Sequence, residues 1–185
     1  MKARGSFPKW VLMRIFGLVG WSGSGKTTLI RKLIPELIGM GFRVSTMKHT
    51  HHNFDIDKPG KDSYEHRVAG ASQVLITGSK RWALLNENRD QPEPKIEDLL
   101  ARMDDVDLVL IEGFKSHPHA KLEVFRPSVG KELIGSTDTS IVAIATDEDV
   151  SEVHLPVLDL NDVAGVAQFI VDFCDLQRSE INGAA

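Results

Sequence analysis

Short apolar runs alternate with amphipathic stretches along the first fifty residues. The run Ile15–Val19 predicts a buried strand. Apolar residues then recur at intervals of three and four and predict a helix over residues 26–40, with Pro35 expected to kink it or to mark an irregular turn. Residues 42–48 again have strand character. This order predicts two parallel strands joined by a right-handed crossover.

The alternation continues along the rest of the chain. Two apolar segments, 72–77 and 81–86, are separated by a hairpin-length turn. Further strands are predicted at residues 107–113, 121–126 and 140–145, and helices at residues 96–103 and from Asn161 or Asp162 onward. The pattern predicts an α/β fold with a mostly parallel twisted sheet, helices on both faces and a small antiparallel hairpin.

The turn after the first predicted strand carries a phosphate-binding pattern. Gly20, Gly25, Lys26 and Thr27 match G-x-x-x-x-G-K-[ST] between a strand and a helix, which is the context of a P-loop NTPase. Backbone N–H groups of such a loop form a nest for phosphate oxygens. Lys26 supplies a charge for the β- and γ-phosphates, and the Thr27 hydroxyl supplies a ligand for Mg²⁺. The alternative is a glycine-rich turn that happens to precede a helix.

A second candidate lies at the end of the apolar run 107–113. Glu112 occupies the place where a phosphate-loop protein holds Mg²⁺ through water or orients the attacking water. Lys115 follows closely and could add positive charge where the transferred phosphoryl group develops negative charge. Apolar strands often end in an acid, so Glu112 gains weight only in combination with the loop at residues 20–27.

The polar segment 48–63 follows the second predicted strand and holds three of the seven histidines. One interpretation is a solvated loop closed by a Pro-Gly turn, followed by a helix that Asp62 or Ser63 caps. In a second interpretation Asp55 and Asp57 reach Mg²⁺ while Lys61 meets phosphate. The sequence leaves both interpretations open, and the adjoining phosphate loop favours the second.

A third interpretation of the same segment is a transition-metal site. It would use His49, His51 and His52 together with the aspartates that follow. Their spacing matches no standard ligand pattern, so this interpretation is the least favoured of the three.

Two further positions each allow a functional and a purely structural interpretation. Asp147 follows the strand 140–145, where an aspartate can accept hydrogen bonds from N1 and N2 of guanine, yet the Asn-Lys-x-Asp pattern is absent and an acidic surface turn is equally compatible. The predicted hairpin tip, Lys80–Trp82, is basic and aromatic and could contact phosphate or a ring. A solvated turn explains it as well.

Length, charge and composition limit the number of domains and the classes of partner to be expected. The 185 residues are enough for one domain, predicted over 13–177, with residues 1–12 a leader or disordered extension and residues 178–185 a frayed tail. A formal charge of −4 gives no reason to expect nucleic acid as a partner. No apolar run approaches the roughly 18 residues of a membrane span. The single cysteine, Cys174, is predicted to be buried and fits the reducing cytoplasm.

Several segments together resemble the molybdopterin-guanine dinucleotide biosynthesis protein B family. They are Trp21-Ser-Gly-Ser-Gly-Lys-Thr-Thr28, Lys48-His-Thr-His-His52, Asp55-Ile-Asp-Lys-Pro-Gly-Lys-Asp-Ser63, Arg81-Trp-Ala-Leu84 and Glu112-Gly-Phe-Lys115. The resemblance implies a homodimeric GTP-binding accessory protein with at most weak, Mg²⁺-dependent GTPase activity. Such a protein assists a guanylyltransferase partner, protein A of the pathway, which attaches GMP to molybdopterin.

The resemblance implies that Gly23–Thr28 bind the phosphates of GTP, that Thr27 and Glu112 serve Mg²⁺, and that segment 48–62 faces the nucleotide or the pterin. Taken together with the residue interpretations above, the candidate catalytic residues are Lys26 and Glu112, and the candidate Mg²⁺ ligands are Thr27, Glu112 and Asp57. Nucleotide contacts would come from Gly20, Ser22, Gly23, Ser24, Gly25, Lys26, Thr27, Thr28 and Asp147. Possible phosphate or pterin contacts are Lys48, His49, His51, Asp55, Lys61, Arg81 and Lys115.

Two other functions compete with this one. A small-molecule kinase would use the same phosphate loop, but it needs a lid with arginines, and the long polar segments supply only Arg89 and Lys115. A nucleotide-gated metal or cofactor carrier would use the histidines of segment 48–63. Metal retention after dialysis, lost on alanine substitution of those histidines, would favour the carrier.

Overall fold

The structure is a computed structural model that describes residues 13–50, 54–150 and 153–177. The described residues form two compact units, one within Met1–His49 and Met103–Ala185 and the other within Thr50–Arg102. The predicted leader and tail lie outside the described residues. The single domain over 13–177 remains a prediction.

The larger unit contains a six-stranded parallel sheet in the order β2-β5-β1-β6-β7-β8. Its strands are β1 Arg14–Val19, β2 Val44–Lys48, β5 Leu108–Glu112, β6 Lys121–Phe125, β7 Ile141–Thr146 and β8 Val157–Asp159. The first five confirm the sequence prediction. The sequence did not indicate β8, because three residues are too few to show a period.

One face of this sheet packs against two helices, α1 (Lys26–Gly39) and α4 (Val163–Phe173). Helix α1 continues through Pro35. Asp162 caps α4, as one of the two predicted residues, because its Oδ1 accepts a hydrogen bond from the Gly165 N–H at 2.9 Å. Cys174 is buried as predicted, and burial raises the pKa of its thiol to about 11.

The smaller unit contains the predicted antiparallel hairpin, β3 (Gln73–Thr77) and β4 (Trp82–Asn86). It also holds the helices α2 (Asp62–Val68) and α3 (Ile96–Leu100). The prediction that Asp62 or Ser63 caps α2 is wrong, because Lys61 holds the cap position and makes no side-chain capping bond. No described helix is long and apolar enough to cross a membrane.

The other face of the larger unit's sheet carries buried polar side chains. Lys121 is 1% exposed and forms an ion pair with Asp138 at 3.1 Å. Glu123 is fully buried, and its two carboxylate oxygens accept the N–H groups of Ile134 and Gly135 at 2.9 and 2.8 Å. Burial raises the pKa of Glu123. These bonds fasten a short 3-10 helix, Ile134–Ser136, onto this face.

His119 also lies on this face of the sheet, and its burial predicts that the stability of the fold depends on pH. Its ring is 7% exposed, and its Nδ1 lies 2.9 Å from Nδ1 of His117. Burial, followed by the charge of Lys121, lowers the pKa of His119 from 6.5 to about 4. Between these values the unfolded chain binds a proton that the folded chain does not bind.

The folded state should therefore lose stability as the pH falls from about 6.5 to about 4, by at most about 1.4 kcal/mol per pH unit from this group. Urea unfolding across this window should show a shallower pH slope for His119→Gln than for the unsubstituted chain. His154→Gln, at an exposed position, is the matched control and should retain the full slope. Equal slopes for both variants would contradict the assignment.

Candidate functional site

The phosphate-binding pattern forms the connection between β1 and α1, at the carboxyl end of a central strand. The loop packs so tightly against β6 that a Cβ at Gly20 would overlap the Val124 carbonyl oxygen and the Ser24 hydroxyl. Only glycine therefore fits at position 20. Ser24 is 2% exposed, and its N–H donates to the Trp21 carbonyl at 3.2 Å. The neighbouring Ser22, Gly23 and Thr28 belong to the same loop and first helical turn.

Lys26 folds back over this loop. Its Nζ donates a hydrogen bond to the Trp21 carbonyl oxygen at 2.8 Å. Burial lowers the pKa of Lys26, and the negative charge of Glu112 opposes that shift. The ammonium group thus lies at the loop with a carboxylate close by.

Thr27 and Glu112 meet where β1 and β5 end. The Thr27 hydroxyl donates to Glu112 Oε1 at 3.1 Å. Lys48 Nζ lies 3.3 Å from the same oxygen, because β2 pairs with β5 in a register that sets Lys48 opposite Glu112. The structure therefore brings together Lys26, Thr27, Glu112 and Lys48, four residues that the sequence singled out.

Trp21 forms a contact that the sequence did not indicate. Lys115 Nζ lies 4.5 Å from the centre of the indole ring, and Lys131 Nζ lies 5.8 Å from it. The indole N–H donates to the Glu132 carbonyl at 2.8 Å. The predicted cation Lys115 is thus held over an aromatic face next to the phosphate loop.

His49 lies beside the end of β5. Its N–H donates to the Glu112 carbonyl at 2.8 Å, and its ring lies 4.4 Å from the ring of Phe114. The backbone bond continues the pairing of β2 with β5 by one residue. His51 lies outside the described residues. Among described residues, no group of three or more His, Cys, Asp or Glu side chains is arranged to hold a metal ion.

Asp147 follows β7 and is engaged by Arg126, which follows β6. Arg126 Nη1 donates to Asp147 Oδ2, and Arg126 Nε donates to the Ser24 carbonyl at 3.1 Å. No sequence pattern indicated Arg126. The one feature that could have indicated it is a basic residue directly after a strand that neighbours β1. The guanine contact of Asp147 remains a prediction.

In the smaller unit, Asp55 and Asp57 surround Arg67. Arg67 Nη2 donates to both oxygens of Asp55 at 2.9 and 2.8 Å, and Arg67 Nε lies 3.4 Å from Asp57 Oδ2. Glu87 accepts from Arg67 Nη1 at 2.8 Å. The bonds from Arg67 lower the pKa of Asp55. The magnesium role of Asp57 and the phosphate roles of Lys61 and Arg81 remain predictions.

The parallel sheet with its phosphate loop defines the class as a P-loop NTPase-like fold. A solved structure described as molybdopterin-guanine biosynthesis protein B superposes with a TM-score of 0.68, at 26% identity, and covers 86% of this chain and 99% of that one. The sequence model for molybdopterin guanine dinucleotide synthesis protein B matches residues 15–147.

Two curated relatives are each called a molybdopterin-guanine dinucleotide biosynthesis adapter protein. The protein from Escherichia coli K12 is 43% identical over 172 residues, which are 90% of this chain and 97% of that protein. The protein from Haemophilus influenzae is 44% identical over 159 residues, with 84% and 86% covered. The chain therefore belongs to the molybdopterin guanine dinucleotide synthesis protein B family, which confirms the resemblance drawn from the sequence.

Proposed function

We propose that this chain is an adapter in molybdopterin-guanine dinucleotide biosynthesis that binds Mg-GTP. In this role it assists a guanylyltransferase partner that attaches GMP to molybdopterin, in the cytoplasm. The biosynthetic role is supported by family membership and by the adapter names of two relatives that are 43% and 44% identical. Binding of GTP, binding of Mg²⁺ and the assistance given to the guanylyltransferase are the further parts of this proposal.

The observation that carries nucleotide binding is the meeting of Lys26, Thr27 and Glu112 at the phosphate loop. A hydroxyl and a carboxylate oxygen 3.1 Å apart fit two adjacent ligands of Mg²⁺. Octahedral ligands at about 2.1 Å from the metal are about 3 Å from each other. Mg²⁺ held there would neutralise phosphate charge, while Lys26 would exchange its bond to the Trp21 carbonyl for phosphate oxygens.

Hydrolysis at this site is expected to be slow. Glu112 Oε1 accepts from the Thr27 hydroxyl and lies against the Lys48 ammonium group. A carboxylate engaged in this way is suited to holding the metal. The residues beside it in the sequence, 111 and 113–115, include no water-positioning glutamine and no arginine. We infer weak GTPase activity that a partner or second subunit could increase.

The predicted homodimer has a candidate surface in the β3–β4 hairpin. Four large apolar side chains of the hairpin are exposed, namely Leu75 at 62%, Ile76 at 41%, Trp82 at 63% and Leu84 at 44%. The register sets Leu75 opposite Leu84, and Trp82 lies two residues before Leu84, so these three side chains share one face of the hairpin while Ile76 lies on the other. A two-stranded sheet is marginally stable alone in water, and a face with three exposed apolar side chains favours association. We infer that a second copy of the chain covers this hairpin.

The alternative function is a small-molecule kinase with the same loop, and nucleotide preference separates the two. Calorimetric titration with GTP and ATP, each with and without Mg²⁺, should show tighter binding of Mg-GTP. Tighter binding of ATP would favour the kinase.

Lys26→Ala should remove the main cation for phosphate and weaken Mg-GTP binding by at least about tenfold. The matched control is Lys32→Ala, which removes an exposed lysine from the same helix and should bind normally. Circular dichroism should show an intact fold for both variants. Unchanged GTP affinity in a folded Lys26→Ala variant would exclude the site.

Glu112→Gln should remove the dependence of GTP affinity on Mg²⁺, because the amide is a weak ligand for the metal. Titrations with and without Mg²⁺ should then give similar dissociation constants for this variant. Glu36→Gln, on α1, is the control and should keep the full effect of Mg²⁺. A normal response to Mg²⁺ in Glu112→Gln would rule out this carboxylate as the metal's partner.

Trp82→Ser should shift the chain toward monomers in sedimentation velocity, because it removes the largest exposed apolar side chain of the hairpin. Phe173→Ser, at a 47% exposed aromatic in the larger unit, is the comparison and should leave the oligomeric state unchanged. The same oligomer for Trp82→Ser and the unsubstituted chain would place the interface elsewhere.

A further inference from the structure

Arg126 connects two candidate elements of the nucleotide site. Its Nε donates to the Ser24 carbonyl within the phosphate loop at 3.1 Å, and its Nη1 donates to Asp147 Oδ2. The guanidinium also lies close to Gly25, since a Cβ added there would be 3.5 Å from Arg126 Nε. One side chain thus joins the phosphate loop, the end of β6 and the residue that follows β7.

The bond to Ser24 fixes the direction of a backbone N–H group. The Ser24 carbonyl and the Gly25 N–H belong to one planar trans peptide, in which the two groups point in opposite directions. Because Arg126 holds the carbonyl on its own side, the Gly25 N–H points away from Arg126. Gly25 has φ of +98°, a left-handed conformation that suits glycine and that turns successive N–H groups of a phosphate nest inward.

Asp147 is arranged to hold Arg126. Its Oδ2 is occupied by the guanidinium, and its Oδ1 is buried with no hydrogen-bond partner among the described residues. A guanine base contacting the carboxylate needs access to both oxygens, and this arrangement offers it neither.

We propose that Arg126 is a positioning residue of the phosphate loop and that Asp147 acts through Arg126 on phosphate binding, with no contact to the base. The proposal rests on the nucleotide-binding function proposed above. It assigns Arg126 a role and replaces the guanine contact predicted for Asp147.

The direction in which Asp147→Asn changes phosphate affinity distinguishes two roles for Asp147. Asp147→Asn removes a negative charge near an anion site, which by simple electrostatics should strengthen phosphate binding. If Asp147 positions Arg126, the same substitution should weaken phosphate binding because the guanidinium loses its anchor. A purely electrostatic role and a positioning role therefore predict opposite signs.

The experiment compares inorganic tripolyphosphate, GTP and ATP, each with Mg²⁺, by calorimetry on the full chain. Asp147→Asn and Arg126→Ala should each weaken all three ligands by a similar factor, on the order of three- to tenfold, and leave the ratio of GTP to ATP affinity unchanged. The double variant should bind no more weakly than Arg126→Ala, because both substitutions break one chain of bonds.

Two control variants test whether the loss of affinity comes only from a lost positive charge or from breaking any Arg–Asp pair. Arg126→Lys keeps the charge but cannot reach Ser24 and Asp147 together, and it should bind nearly as weakly as Arg126→Ala. Arg43→Ala breaks another Arg–Asp pair, Arg43 with Asp107 at 3.2 Å, at the opposite ends of the strands. It should bind all three ligands normally.

Each remaining outcome is decisive. If Asp147→Asn abolishes the preference between GTP and ATP while tripolyphosphate binds normally, Asp147 contacts the base and the inference is wrong, although the proposed function stands. Stronger tripolyphosphate binding by Asp147→Asn also overturns the inference. If the unsubstituted chain binds none of the three ligands, the proposed nucleotide function fails together with the inference.

Discussion

The site depends on the position of β1, which pairs with β5 on one side and β6 on the other. Parallel strands end at one edge of a sheet, so these pairings bring the ends of three strands to the phosphate loop. Glu112 arrives on β5 and Arg126 follows β6. The first engages the hydroxyl of Thr27 and the second a carbonyl of the loop. Without either pairing the loop would lose one of these lateral contacts.

The features that the sequence predicted are those encoded in short continuous segments. The apolar period of β1 and α1 and the glycines between them identified the loop, and the acid ending β5 identified Glu112. Each signal lies within a few residues along the chain. Strand order and register then placed these residues together, as expected for parallel strands that end at the same edge.

The features that the sequence did not reveal depend on contacts between distant residues. Trp21 donates to the carbonyl of Glu132, 111 positions later, and Arg126 contacts Ser24 across 102 positions. No local period records such pairs. The predicted cap of α2 was wrong for another reason. The Ser63 hydroxyl donates a hydrogen bond to Asp57 and does not cap the helix, because a nearby carboxylate competes with the backbone N–H groups for this side chain.

The bond from Lys26 to the Trp21 carbonyl has a consequence for affinity. Under the proposed nucleotide-binding function, the lysine is already engaged before any phosphate arrives, so binding would exchange one hydrogen bond for another. The free energy of binding would then be a difference between two engaged states, smaller than the attraction of a free ammonium for phosphate. The loop would also keep its lysine in place between binding events, which would lower the conformational entropy lost when a ligand enters.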